Sequence, residues 1–386
     1  MNEASEHRPT VAIVDLSAIR HNLHYFLAKM TSEQQLYVAV KANAYGHGLV
    51  PIAQAAIEYG AHGLLVATID EGITLRKNGI TAPILVLGIS DARGIAEMLL
   101  YDLTITVSDA NFFERAEQQL QATGQAALLT PQSLKIHLAL DTGMGRIGLQ
   151  TEAEVAHFVQ VAQKVSWIDW QGVFTHFATA GGGPETHVAH QWERWLELTA
   201  CVPDQVTIRH YANSAMGMWY PYEPQSSIVR LGIGLYGMHP KDEWQTPDAL
   251  DLRPALQLVS EIVHIKKVSK GTKISYGATY EAQEDEWIAT IPIGYADGWF
   301  RRYQQIPVLV DGKACQVAGR INMDQLMIRL PNFYPVGTTV TLIGQDKTLC
   351  NHASDIAQQV DTISYEIFTS IAPRVPRIYL KGEQEQ

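Results

Sequence analysis

Cysteine is scarce in this 386-residue chain: only Cys201, Cys315 and Cys350 occur, far apart and without metal-ligand spacing. An odd, scattered set argues against a disulfide framework or a zinc site and fits reduced thiols, with no metal expected. Long apolar runs are also missing. No stretch approaches the roughly 18 apolar residues of a membrane span, and the polar opening MNEASEHRPT lacks the apolar centre of a signal peptide. The expectation is a cytoplasmic protein with no membrane partner. Basic charge is short as well: 29 Lys and Arg stand against 40 Asp and Glu, for a net charge of −11. That speaks against a nucleic-acid partner but leaves room for a small positive pocket.

What the chain does have is apolar bulk, 46% hydrophobic residues against 18% charged, enough for a large core. Short apolar runs recur at Leu36–Val40, Gly63–Ala67, Pro83–Leu87, Leu103–Val107, Leu134–Leu140, Trp170–Thr175, Val206–Ala212 and Ile228–Leu235. Helical apolar spacing fills intervals such as Val50–Tyr59, Glu71–Lys77, Ala110–Gln121, Glu152–Lys164 and Val188–Thr199. Strand alternating with helix implies parallel strands, and eight units close a (β/α)8 barrel of the TIM type. The seventh helix, within Asn213–Ser227, is the weakest in pattern. Beyond about residue 245 the texture turns to strands at Leu256–Lys267, Trp287–Gly294, Val308–Val317, Leu326–Leu330 and Thr338–Ile343, with one helix near His352–Gln358. The domains read as an α/β barrel over 10–245 and a mainly β domain over 246–386, ending in a disordered tail, KGEQEQ.

In such a barrel the active site lies at the C-terminal ends of the strands. The first strand ends in VKANAYGHG, which places Lys41 at the barrel mouth. Desolvation there lowers a lysine's proton affinity and suits it to imine chemistry. The small residues that follow permit close approach of a bulky ligand. The fifth strand runs into DTGMGRIG with Arg146, the sixth ends at His176, the seventh at His210 ahead of Ser214, and the eighth carries Arg230, Gly232 and Ile233. The last two loops are the usual phosphate cradle of this barrel. The Ser214 hydroxyl and the Gly232 and Ile233 N–H groups can donate there. A phosphorylated ligand beside a reactive lysine fits pyridoxal 5'-phosphate (PLP).

These motifs closely resemble those of the alanine racemases, PLP enzymes of fold type III. VKANAYGHG, DTGMGRIG, THFATA, ANSA, VRLGIGLYG, SYGATY, IPIGYADG, GRINMDQ and TISYE occur in the family's order between Val11 and Ile378. The resemblance implies an isomerase that interconverts L- and D-alanine, supplies D-alanine for peptidoglycan and works as a homodimer with shared active sites. It implies that Lys41 carries the cofactor and acts as one base. Tyr276, from the partner subunit, is the second. Tyr45, Ser214, Gly232, Ile233 and Tyr365 would bind the phosphate, and Arg230 would face the pyridine nitrogen, held by His210. Arg146 would support the cofactor and take the substrate carboxylate, His176 would pack beside the ring, and Met323 and Asp324 would complete the partner's substrate pocket. Asn43 and His47 are read as loop-shaping residues.

Two positions depart from the family pattern. Most members have a lysine, often carbamylated, two residues before the Asp of DTGMGR, where this chain has Ala139. Arg146 is then expected to take another partner: an anion, water or a polar side chain. Asn322 replaces the usual cysteine of GRICMDQ. These changes leave open a racemase for serine or a broader set of amino acids. A non-catalytic PLP-binding protein is the alternative of another class, against which intact Lys41 and Tyr276 argue.

Overall fold

Eight parallel strands form one sheet in sequence order: Gln35–Ala39, Gly63–Val66, Ile84–Ile89, Thr104–Val107, Leu134–Ala139, Ile168–Phe174, Ile208–His210 and Ile228–Leu231. The first pairs with the last, Gln35 opposite Ile228, so the sheet curls back on itself. Between the seventh and eighth strands the seam is held by separate backbone bonds, from Ser227 N–H to the Arg209 carbonyl and from Arg230 N–H to that of Ala212. Strands such as Gly63–Val66 are buried along their whole length, as continuous apolar runs of parallel strands should be. Helices Leu49–Glu58, Ile69–Lys77, Ile95–Leu100, Asn111–Ala122, Glu152–Ala162, Glu185–Ala200 and Ser214–Trp219 alternate with the strands. This is the expected (β/α)8 barrel, and its weakest helix is real but short.

The computed structural model describes residues 4–220, 222–223, 225–241 and 250–381. The junction expected at 245/246, and all of the tail beyond Lys381, lie outside the described residues. The chain divides into two compact units. Leu23–Ala44 and Leu49–Leu235 form the barrel unit; residues through Asn22, Tyr45–Gly48 and those from Tyr236 onward form the other.

The second unit is mainly β, as expected, with differences in detail. Leu256–Lys267 is two strands, Leu256–Glu261 and His264–Val268, in different sheets. The break falls where Ile262 N–H turns to the Thr338 carbonyl and Val263 N–H to that of Thr290. Val308–Val317 is a hairpin, Val308–Val310 with Lys313–Cys315, turning at Asp311 and Gly312, both at positive φ. A strand with no sequence expectation, Val11–Asp15, pairs antiparallel with Leu256–Glu261 and parallel with Arg377–Leu380. Helices Ala353–Gln359 and Ser364–Thr369 complete the unit. The three cysteines are unpaired. Among the described residues, no helix is long and apolar enough to cross a membrane, and no cluster of side chains has the makings of a metal site.

Candidate active site

The strand ends of the barrel unit gather most of the expected residues. Lys41 stands two residues past the end of the first strand and opens a turn of unusual hand. Ala42, Asn43, Ala44 and Tyr45 stand at φ of 52, 55, 52 and 51°. Each non-glycine residue in this left-handed conformation costs about 1–2 kcal/mol. The turn persists because its ends are tied. Glu71 accepts the Ala42 N–H at 2.7 Å, and Asn43 Oδ1 accepts the Leu49 N–H at 2.8 Å. Burial, then the charge of Arg146, push the Lys41 amine below its ordinary value; the Glu71 carboxylate opposes them. His47 is fully buried and packs its ring on Tyr236 at 4.4 Å and on Phe368 at 5.2 Å.

Arg230 is buried in the barrel. Its Nη1 donates to His210 Nδ1 at 2.7 Å and to the His210 carbonyl at 3.1 Å. Its Nη2 donates to the Thr175 carbonyl at 2.7 Å and the Tyr211 carbonyl at 3.2 Å, and lies 3.5 Å from His176 Nδ1. Among the described residues no carboxylate pairs with it. Burial and the neighbouring Arg146 push its guanidinium down to about 9, so it remains charged at neutral pH. Because arginine only donates, His210 Nδ1 must carry a lone pair and Nε2 the proton. That proton points to His137 Nδ1 at 2.9 Å. Burial first, and Arg230 second, push His137 down to about 3 and His210 well below the ordinary histidine range. His176 is pushed to about 3 by burial, then by Arg230, Arg146 and Lys41. All three rings are neutral. His137 carried no sequence signal, because it sits inside the strand Leu134–Ala139 and not at its end.

The loop after the fifth strand is built around Asp141, whose Oδ1 accepts N–H groups of Gly143 at 3.0 Å and Gly145 at 2.9 Å. Burial alone would raise this carboxyl, but those bonds and the Gln150 amide hold it below the usual carboxylate range. Gly148, at φ +118°, has no room for a side chain: a Cβ would stand 2.5 Å from Asp141 N. Ala139 is buried, 1% exposed. Arg146 is exposed and, among the described residues, forms no ion pair or hydrogen bond. Of the partners expected in place of the lysine at Ala139, an anion, water or a polar side chain, no described side chain serves, and the exposed guanidinium is open to solvent. Lys41, Arg146 and Arg230 thus make a positive locality in an acidic chain.

Ser214 Oγ accepts the Gly232 N–H at 2.9 Å, which leaves the serine's own hydrogen free to donate. Gly232 N–H is therefore already engaged. Ile233 opens the one-turn helix Ile233–Tyr236, where a first N–H has no acceptor within the turn. In the other unit, Tyr45 lies against Tyr365 at 5.7 Å and Tyr236 at 4.9 Å, and burial pushes its hydroxyl up to about 12.

A second group of expected residues lies together on the β unit. Ser275, at φ 69°, donates its hydroxyl to the Arg320 carbonyl at 2.8 Å and accepts the Arg320 N–H at 3.0 Å. This ties the Tyr276–Ala278 turn to the loop bearing Asn322, Met323 and Asp324. Gly294 lets that loop approach: a Cβ there would meet the Asn322 and Met323 carbonyls at 2.3 and 2.4 Å. Arg8 and Arg374 both pair with fully buried Asp297, and Arg374 also holds Asp324 at 2.8 Å. Tyr276 is 71% exposed and Met323 53%, a large apolar outlay on a braced surface.

Known proteins match both units. The family model described as alanine racemase, N-terminal domain, matches residues 14–240, and the one described as alanine racemase, C-terminal domain, matches 255–379. An alanine racemase of Ligilactobacillus salivarius (strain UCC118) is 45% identical over 97% of this chain and 98% of its own. The crystal structure of alanine racemase from E. faecalis superposes with a TM-score of 0.91 at 39% identity, covering 98% of this chain and 100% of that one. That of Bacillus anthracis with bound L-Ala-P gives 0.90 at 39% identity, covering 97% and 96%. By architecture, motif order and similarity along nearly its whole length, the chain belongs to the alanine racemases, isomerases that interconvert L- and D-alanine.

Proposed function

We propose that this chain racemises alanine with PLP carried on Lys41, using Lys41 and the partner's Tyr276 as bases on opposite faces of the substrate. The observation that carries the reading is the setting of Lys41. Its amine is shifted toward the neutral form, in a locality whose two arginines have no carboxylate partner among the described residues. The residues present fit the cofactor. A buried guanidinium bonded only to neutral acceptors suits an uncharged ring nitrogen or an anion, and the Ser214 hydroxyl and Ile233 N–H are unspent donors suited to phosphate. Gly232 would serve that phosphate by orienting Ser214, and Tyr45 and Tyr365 keep the phosphate-binding role that the family resemblance implies.

When bound, PLP acidifies the α-hydrogen of an amino acid joined to it. Lys41 Nζ, low in proton affinity, takes or returns that proton on one face, and the Tyr276 hydroxyl does so on the other. Two bases allow inversion without the substrate turning over. Arg146 takes the substrate carboxylate. Arg230 has its terminal N–H groups spent on His210 and three carbonyls, which fix its orientation; its Nε–H would be the donor left for the ring nitrogen, and it would give up no proton. His176 packs beside the ring as a neutral imidazole. Met323 and Asp324 line the partner's pocket, and the exposure of Tyr276 and Met323 is what a contribution to a second copy requires. On this reading residues 10–245 bind the cofactor and 246–386 serve the partner's site, in a cytoplasmic homodimer whose D-alanine enters peptidoglycan.

Borohydride reduction of the PLP-loaded enzyme and peptide mapping test this directly. The phosphopyridoxyl label is expected on Lys41; a label on another lysine overturns the assignment. Chiral analysis with L-alanine and L-serine as substrates in the same preparation sets the breadth of substrates.

A further inference from the structure

We propose that Glu71 is a positioning residue for Lys41: its carboxylate clasps the left-handed turn that begins immediately after the lysine. One oxygen accepts the Ala42 N–H at 2.7 Å, and the other accepts the Ala67 N–H at 2.7 Å and the Thr68 N–H at 3.3 Å. One side chain thus joins the loop after the first barrel strand to the loop after the second. The clasp bears on the longest run of non-glycine residues at positive φ among the described residues, four in succession. Without an acceptor, the Ala42 N–H would gain nothing from this conformation, and relaxation of the turn would swing the Lys41 side chain. Glu71 also places a negative charge near the amine without pairing with it, against the charge of Arg146.

Glu71 has a local duty too. It closes a capping box with Thr68, whose hydroxyl accepts the Glu71 N–H at 3.3 Å, at the start of helix Ile69–Lys77. The two duties can be separated. Thr68→Ala removes half of the capping box and leaves the bond to Ala42 in place. Glu71→Ala removes both. Glu71→Gln keeps the volume but turns an amide NH2 toward one of the two loops, so it can serve only one of them.

The proposal rests on Lys41 being the reactive lysine, but its readouts do not need cofactor. In the full-length protein freed of PLP, amide exchange over residues 40–46 is followed by mass spectrometry. The pH dependence of Lys41 acetylation is followed by peptide mapping. Glu71→Ala is expected to speed exchange in that segment about tenfold or more, the factor for one charge-assisted bond, and to move the Lys41 titration to lower pH. Glu71→Gln should give an intermediate exchange effect and the same direction of titration, and it serves if the alanine variant fails to fold. Thr68→Ala should leave both readouts unchanged. Equal effects from Thr68→Ala and Glu71→Ala would reduce Glu71 to a helix cap and overturn the proposal, as would unchanged readouts in the Glu71 variants. A borohydride label away from Lys41 would instead sink the cofactor assignment.

Discussion

Single side chains at the barrel mouth are organised by protonation. His137 and His210 are buried as neutral rings, each held far below the ordinary value of 6.5. The unfolded chain takes up their protons as pH falls through 6.5, but the folded barrel refuses them. Their contribution to stability is therefore full above that value and is lost on acidification. Each ring accounts for about 1.4 kcal/mol per pH unit in the window below 6.5. Urea unfolding midpoints should fall between pH 6.5 and 5, before most carboxylates titrate. His137→Asn, which keeps an acceptor for His210, should flatten the fall; a midpoint flat with pH in the unaltered protein would contradict the assignment of neutral rings. Lys41, His176, His210 and Arg230 drew notice in the sequence because they stand at or near strand ends, where barrel chemistry is expected to gather, and Arg146 because a strand runs into its DTGMGRIG loop; their roles are proposed. Glu71 and His137 drew no such notice. An acidic residue in a first helical turn already has a capping explanation, and a histidine inside a strand has a packing one. Only their partners, distant in sequence, show a second role.

At the scale of elements, barrel strands such as Gly63–Val66 and Thr104–Val107 were readable because they are short runs buried throughout, whereas Ile168–Phe174 and Ile208–His210 carry polar residues and are only partly buried. The second unit was harder. Val11–Asp15, a short apolar run that alternates between buried and half-exposed positions, finds its partners some 240 and 365 residues away, so its place in the sheet is not local information. The strand at Leu256 and the hairpin at Val308 were read as single long runs because apolar content continues across the break, although the Asp311–Gly312 pair is itself a turn signal. The loop after the fifth barrel strand offers a test of how tightly an element can be specified. A Cβ at Gly148 would strike Asp141 N at 2.5 Å and the Leu140 carbonyl carbon at 2.6 Å, whereas one at Gly145 would meet nothing within 4 Å. Gly145→Ala is expected to cost only its positive φ, about 1 kcal/mol. Gly148→Ala must also push backbone from backbone, disturbing the bonds of Leu149 with Ala139 and Asp141, and should cost at least about 3 kcal/mol. Comparable unfolding midpoints for the two variants would show that the loop yields where its contacts say it cannot.

For the whole molecule, the central matter is how its two units take part in one reaction. On the proposed reading the barrel unit supplies Lys41, Arg146 and Arg230. The β unit supplies a braced surface on which Tyr276 and Met323 are exposed and Asp324 is held by Arg374. The proposed division of labour is between copies: the barrel of one works with the β unit of its partner. Subunit exchange between Lys41→Ala and Tyr276→Ala chains, each inactive alone, tests this most directly. In a hybrid dimer one site loses both bases and the other keeps both. Equal mixing with complete exchange should therefore restore about a quarter of the unaltered enzyme's alanine racemisation. Absence of recovered activity, with hybrid dimers demonstrated by mass, would contradict a site built from two chains.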